Sequence, residues 1–178
     1  MLNWLKKLSA IYFHRSWKVN TPEQTLNVFK NGVLEIDKGN PLKAVAYFSE
    51  AITASPNSAK LHHYRADAYA LAGNLELAII DYDISVRLNP TYPDTYLDRG
   101  NANYRLDFLS SALKDFSEAI RLKPNWAKAH ANRAVIYAEL GDIEKSNLDA
   151  SQAVEFGVDE SQLEEMLETV KTNLPGES

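Results

Sequence analysis

A chain of 178 residues is long enough for one domain with a short appendage, and two large domains are excluded. The hydrophobic fraction of 45% can bury a substantial core, while a net charge of -5 lacks the basic excess of a nucleic-acid binder. The absence of cysteine excludes disulfides, cysteine-ligated zinc and a thiol nucleophile. The uncharged stretch near the N-terminus, residues 8–13, is too short for a membrane span or a secretory signal, so we expect a cytoplasmic protein.

Residues 1–21 form a basic segment that differs from the rest of the chain. They contain Lys6, Lys7, Arg15 and Lys18 and no acidic side chain. On a helical wheel the large apolar side chains fall within an arc of about 120°, which predicts an amphipathic helix, although Arg15 lies inside the arc. The apolar side chains are Trp4, Leu5, Leu8, Ile11 and Tyr12.

Three binding partners for this apolar face remain as alternatives: a membrane, a second copy of the chain, and the chain's own first repeat. Residues 1–18 suit peripheral contact with an anionic membrane, because basic helices carrying Trp and Leu bind such surfaces. The face also suits self-association. The third alternative is the helix that follows, where Leu26, Phe29, Val33 and Ile36 are apolar and need cover.

A repeat of 34 residues dominates the remainder of the chain. Proline recurs with this step, and so does an alanine that is followed four residues later by an aromatic side chain. These residues are Pro56, Pro90 and Pro124, Ala44, Ala78 and Ala112, and Phe48, Tyr82 and Phe116. They divide the chain into four units, residues 25–58, 59–92, 93–126 and 127–160.

Each unit is predicted to form two helices. In unit two, Leu75, Ala78 and Tyr82 recur at steps of three and four, the period of one helical face, while Gly73 separates the helices and Pro90 ends the unit. A single pair of helices cannot bury both of its apolar faces. Stacking several pairs does, which explains why the pattern is repeated.

The repeat resembles the tetratricopeptide repeat family over residues 25–160. The family pattern has a small residue at the eighth position of the unit, alanine at the twentieth, an aromatic at the twenty-fourth and proline at the thirty-second, which unit two matches with Ala66, Ala78, Tyr82 and Pro90. The resemblance implies an all-α fold, a right-handed α-solenoid of four helix-turn-helix units. Unit four departs most from the pattern, with Ser146, Ala150 and Val158.

Both ends of the repeat region carry helix-start signals. Thr21, Pro22 and Gln24 provide an N-cap, a proline at the first helical position and a capping-box partner, so the first repeat helix should begin near Pro22. A second capping box opens a helix over residues 161–174, which we expect to cap the stack, and residues 175–178 are expected to be a disordered tail. The apolar side of the capping helix comprises Leu163, Met166, Leu167, Val170 and Leu174.

Three residues form the cluster that most resembles a chemical site, His62, His63 and Asp67. His63 and Asp67 are four residues apart and share a helical face, as two metal ligands do. No third ligand lies at a motif spacing, so we expect His62 to pack between helices and His63 to line a groove. We therefore predict no metal, no cofactor and no catalytic site, hence a protein that is not an enzyme.

Other charged residues are interpreted as structural or solvated. Acidic residues that could form carboxylate pairs are assigned to solvated helix faces; they are Asp81, Asp83, Asp115 and Glu118. The arginines that recur every 34 residues are assigned to stem packing and hydrogen bonding at repeat junctions; they are Arg65, Arg99 and Arg133.

The family resemblance also implies where a partner binds. Within the family, the first helices of successive repeats line a concave groove that holds peptide segments or a partner helix. The chain is thus expected to be a non-catalytic scaffold for a protein or peptide; the alternative is a membrane-surface-tethered assembly factor anchored by residues 1–21. The candidate groove residues are Leu26, Phe29, Val33, Lys60, His63, Asp67, Leu97, Asn101, Tyr104, Arg105 and Lys128.

One subset of the family, the chaperone-adaptor repeats, grips a C-terminal carboxylate with lysine, asparagine and arginine side chains. In the better of two possible frames only Lys128 matches, and Asp67 and Asp98 would repel a carboxylate. We therefore expect a ligand other than a chaperone tail. The five positions hold His63, Asp67, Asp98, Lys128 and Asn132.

Overall fold

A computed structural model describes residues 21–172, and all regular secondary structure in this range is α-helical. The helices are α1 (Pro22–Asp37), α2 (Pro41–Ala54), α3 (Ala59–Leu71), α4 (Leu75–Leu88), α5 (Pro93–Arg105), α6 (Leu109–Leu122), α7 (Ala127–Glu139), α8 (Ile143–Glu155) and α9 (Glu160–Thr172). The predicted N-terminal amphipathic helix and the predicted tail lie outside the described residues, and so does the anchor of the membrane-tethered alternative.

The first eight helices form four hairpins that stack in chain order. Within each hairpin the two helices pack along each other, and the second helix then packs against the first helix of the next hairpin. Because neighbouring hairpins share their faces, each apolar surface is covered by the next unit. The predicted all-α solenoid of helical hairpins is confirmed.

Local sequence signals set the helix ends. Thr21 and Gln24 form a reciprocal capping box, in which the Gln24 N–H donates to Thr21 Oγ1 at 3.2 Å and the Thr21 N–H to Gln24 Oε1 at 3.3 Å. The helix starts at Pro22, as predicted. Gly73 takes a positive φ of 81° in the turn after α3, and Asp107 takes 62° in the corresponding turn after α5. Unit three therefore keeps the left-handed turn without glycine, because a short polar side chain tolerates this conformation.

Small and large side chains alternate where the two helices of a hairpin meet. The repeat alanines are completely buried, and the aromatic side chain one turn later fills the space beside each of them. In units one and three that aromatic ring lies directly against a glycine of the first helix, Gly32 against Phe48 and Gly100 against Phe116. The close approach of the helices thus depends on the missing Cβ.

Gly100→Ala is expected to destabilise the fold by about 1–3 kcal/mol, although alanine normally favours a helix interior by about 1 kcal/mol. The added Cβ would lie 2.6 Å from Phe116 Cε1. Urea denaturation checks the expectation. In a Phe116→Leu background, where the ring is absent, the same glycine substitution should become neutral or stabilising. Destabilisation of equal size in both backgrounds would contradict the proposed contact.

The repeated arginines connect neighbouring repeats. Arg99 on α5 donates to Asp115 Oδ1 of its own hairpin at 2.6 Å and to Asp83 Oδ1 of the preceding hairpin at 2.7 Å. The other two arginines bridge hairpins in the same way, Arg65 through Asp81 and Ser49 and Arg133 through Asp149 and Ser117. Their predicted position at repeat junctions is confirmed.

The same contacts correct the interpretation of two acidic residues. Asp81 and Asp115 are 2% and 3% exposed, so they do not belong to a solvated helix face. Each is buried because a guanidinium group compensates its charge inside the hairpin. Burial nevertheless raises the pKa of Asp115 against the opposing effect of Arg99, which indicates that desolvation outweighs the pairing.

The C-terminal helix α9 packs against α7. Leu163 and Leu167 are buried and belong to the same apolar cluster as Ala131 and Val135 of α7. Met166, expected on the covered side, is instead 42% exposed. Since α9 covers positions that line the groove in the family, the open part of the groove is formed by the first three hairpins.

Candidate partner-binding groove

The first helices of three successive hairpins surround an open pocket of about 440 Å³. It lies between α1, α3 and α5, the helices that the repeat pattern places along the concave side. Most of its lining is apolar, and polar side chains are interspersed. The lining residues are Val33, Ile36, Tyr64, Asp67, Ala70, Leu71, Tyr82, Asp98, Asn101, Ala102 and Arg105.

Aromatic and apolar side chains extend beside this pocket. The rings of Phe29 and Tyr64 meet edge to face with their centroids 4.9 Å apart, and Lys60 Nζ lies 5.2 Å from the centroid of Phe29. Leu71 at the pocket edge is 63% exposed. This exposed leucine and the two aromatic rings offer an apolar contact surface to a partner.

Four of the candidate residues come together in the pocket lining, Val33, Asp67, Asn101 and Arg105. Two of them also tie repeats together, because Arg105 Nη1 donates to the carbonyl of Ala70 at 3.2 Å and Asn101 Oδ1 accepts from Asn132 Nδ2 at 2.6 Å. The other seven candidates lie outside the lining: Phe29 and Lys60 lie next to the lining residue Tyr64, Leu26 and Lys128 are exposed on α1 and α7, and the remaining three are described below.

Three candidates are less accessible than expected. Leu97 is 3% exposed and packs in the apolar core around Phe116, so it is not a groove surface residue. His63 is buried as well, at 5% exposed. Tyr104 packs on the cores of units three and four, and its hydroxyl donates to Glu139. Repeat position alone does not show how closely the adjacent helix packs, which explains these differences.

Tyr64 and Asp98 line the pocket but were absent from the candidate set. Both occupy the sixth position of their units, a position that enters the sequence argument only through the carboxylate-binding frame, which Asp98 matches poorly. That frame includes the sixth position, so it was the signal that pointed to these two residues.

The floor of the pocket is acidic, and the buried imidazole of His63 lies next to both carboxylates. Burial raises the pKa of Asp67 and that of Asp98 to about 6; the charge of Asp94 also raises both pKa values, and the charge of Asp67 raises that of Asp98. Burial lowers the pKa of His63. Among residues 21–172, neither carboxylate forms a salt bridge with a lysine or an arginine.

A family model described as tetratricopeptide repeat matches residues 29–93 and 97–154. Together these ranges span well over half of the chain. The chain belongs to the tetratricopeptide repeat family. This membership agrees with the 34-residue period and with the stack of four hairpins.

Solved structures of other proteins share this fold. The MamA crystal structure superposes with a TM-score of 0.72 at 19% identity, covering 85% of this chain and 83% of MamA. The first tetratricopeptide repeat domain of Spaghetti (RPAP3), bound to the HSP90 peptide SRMEEVD, superposes with a TM-score of 0.66 at 26% identity, covering 69% of this chain and 98% of that domain.

Among curated proteins, a Protein SGT1 homolog of Oryza sativa subsp. japonica is 35% identical over 69 residues. The match covers 39% of this chain and about a fifth of that relative, 19%. Separately, none of the helices in residues 21–172 is long and apolar enough to cross a membrane.

Proposed function

We propose that this tetratricopeptide repeat protein is a non-catalytic scaffold that binds a segment of a partner protein, as a peptide or a helix, in the groove formed by α1, α3 and α5. The proposal includes a cytoplasmic location. Spaghetti supports the general mode of binding, since its related repeat domain holds a peptide.

The observation that carries the proposal is the open pocket at the junction of three repeats. Binding sites are typically concave and apolar with a few polar groups that orient the ligand, and this pocket has that composition. Its side chains project from helices that are locked by packing and by the arginine bridges. The surface is thus preorganised, which reduces the entropic penalty of binding.

The charges favour a partner segment unlike the HSP90 peptide SRMEEVD that Spaghetti binds. That peptide is acidic at its end, whereas Asp67 and Asp98 place two carboxylates on the pocket floor here. Repulsion between like charges in a partly desolvated site is costly. We therefore propose a segment that presents apolar and neutral or cationic side chains to this pocket.

Leu71→Glu is expected to weaken partner binding at least about tenfold, or about 1.4 kcal/mol, because it places a charge on the exposed apolar edge of the pocket. The readout is quantitative recovery of interacting proteins on immobilised protein, followed by titration of the recovered partner. Circular dichroism should show unchanged thermal stability, since Leu71 is 63% exposed.

Leu42→Glu is the matched control. Leu42 is 65% exposed, like Leu71, but it lies on α2 and outside the pocket lining. Partners that bind the wild type and Leu42→Glu but not Leu71→Glu use the groove. Equal binding to both variants would place the interaction surface elsewhere on the molecule.

A further inference from the structure

Three potential metal ligands converge on the pocket floor from two successive first helices. His63 and Asp67 project from α3 and Asp98 from α5, and one ligand atom of each lies within 4.8 Å of the others. His63 Nε2 is 3.4 Å from Asp67 Oδ2 and 3.8 Å from Asp98 Oδ2. Asp98 supplies the third ligand that no sequence spacing had indicated.

These separations suit one ion. Zinc bonds of about 2.0–2.2 Å to nitrogen and oxygen separate tetrahedral ligand atoms by about 3.3–3.6 Å. The distance between His63 and Asp67 already falls in this interval, and the distance from His63 to Asp98 exceeds it by a few tenths of an ångström. Among residues 21–172 no side chain forms a hydrogen bond with Asp98, so its carboxylate can turn toward an ion that the other two ligands hold.

Neighbouring groups hold two of the ligands in orientation. His63 Nδ1 lies 3.2 Å from Thr95 Oγ1, which in turn lies 3.3 Å from Ser85 Oγ, so the Nε2 atom is left to face the carboxylates. The Tyr82 hydroxyl donates to Asp67 Oδ1 at 2.7 Å, leaving Oδ2 toward His63. Such outer hydrogen bonds are typical of metal sites, where they set the imidazole tautomer and the carboxylate direction.

The negative charge of the cluster and its exposure to the pocket are also typical of a cation site. In the described part of the chain neither carboxylate forms a salt bridge with a lysine or an arginine, although Lys128 is near enough to interact with the charge of Asp98, so a bound cation would relieve the remaining repulsion between the two carboxylates. Their side chains are 31% and 33% exposed toward the pocket, whereas the imidazole is 6% exposed. An ion can therefore enter from the groove.

We propose that His63, Asp67 and Asp98 bind a divalent transition-metal ion, with zinc as the best match to one imidazole nitrogen and two carboxylate oxygens. The imidazole ligand favours zinc over magnesium and calcium, which prefer sites made entirely of oxygen. The proposal is independent of partner binding, because the ion itself is the probe.

Calorimetric titration of the full, tag-free chain with zinc chloride, after dialysis against a chelator, tests the site. We expect saturable binding with one equivalent that depends on these ligands. Asp98→Asn should weaken zinc binding more than tenfold while the melting temperature of the metal-free protein stays within a few degrees. Magnesium chloride should produce no saturable binding at the same concentrations. Substituted cobalt should give the visible absorption of a tetrahedral site.

Asp94→Asn is the control for charge, because Asp94 is an acidic residue one turn earlier on α5 whose charge acts on His63, Asp67 and Asp98 but which does not belong to the cluster. It should weaken zinc binding only slightly, because a charge outside the ligand set contributes less than a bond to the ion. Asp67→Asn provides a second ligand variant whose side chain still accepts the Tyr82 hydrogen bond, and it should lose binding as Asp98→Asn does. Absence of saturable zinc binding, or equal binding by Asp98→Asn and Asp94→Asn, would overturn the proposal. The two carboxylates would then be interpreted as the binding site for a lysine or arginine side chain of the partner segment.

Discussion

Ala112→Arg should lower the free energy of unfolding by about 3–5 kcal/mol and shift the urea midpoint to a lower concentration. Ala112 on α6 is 0% exposed and packs in the apolar cluster with Tyr96 and Phe116. A long charged side chain at this point either separates the two helices of the hairpin or buries a guanidinium group without a partner. Either response removes contacts on which the neighbouring hairpins depend.

Two exposed positions on the same helix are controls for Ala112→Arg. Ser111→Arg introduces the identical side chain one residue earlier, and Lys114→Ala removes a charge two residues later; both positions are exposed. Each control should change stability by less than about 0.5 kcal/mol. Urea curves for Ala112→Arg and Ser111→Arg that coincide would show that the repeat register is wrong.

Asp115→Ala should reduce stability by about 3 kcal/mol, because it leaves a largely buried cation and a buried amide without their shared acceptor. The Arg99 side chain is 16% exposed and the carboxylate 4% exposed, and Asn103 Nδ2 donates to Asp115 Oδ2 at 2.9 Å. The measurement is chemical denaturation. Arg99 keeps its contact with the more exposed Asp83, which limits the loss.

Glu118→Ala on the same helix is the control for Asp115→Ala. It also removes an acidic partner from an arginine, Arg121, but this pair lies at the surface, where the arginine side chain is 64% exposed. Water solvates both groups when the pair is broken, so little change is expected. Equal destabilisation by the two substitutions would contradict the view that burial makes the arginine bridges important.

The candidate groove was predictable at the level of helices and faces. The repeat positions correctly brought Val33, Asp67, Asn101 and Arg105 to one pocket, because a 34-residue period places equivalent positions on the same side of successive hairpins. The prediction was wrong for Leu97, which is buried. Accessibility depends on how deeply the next helix packs, and that depth is a property of the stack.

The repeat period, the all-α class and the start of the first repeat helix could be predicted from the sequence. These features depend on interactions within a few residues, such as the capping box of Thr21 and the turn at Gly73, or on a spacing that can be counted directly. Asp107 shows that the repeat can impose this backbone conformation, since the turn stays left-handed without a glycine.

Which charged and polar groups are buried together depends on the tertiary packing. Asp81 and Asp115 become interior residues because an arginine on the facing helix reaches them, and His63, Asp67 and Asp98 meet because consecutive first helices lie side by side. The path of α9 across α7 likewise limits the open groove to three hairpins. The sequence shows which side chains are charged and would need a compensating partner if they were buried. Only the packing of distant helices shows which of them are buried and which partner they meet.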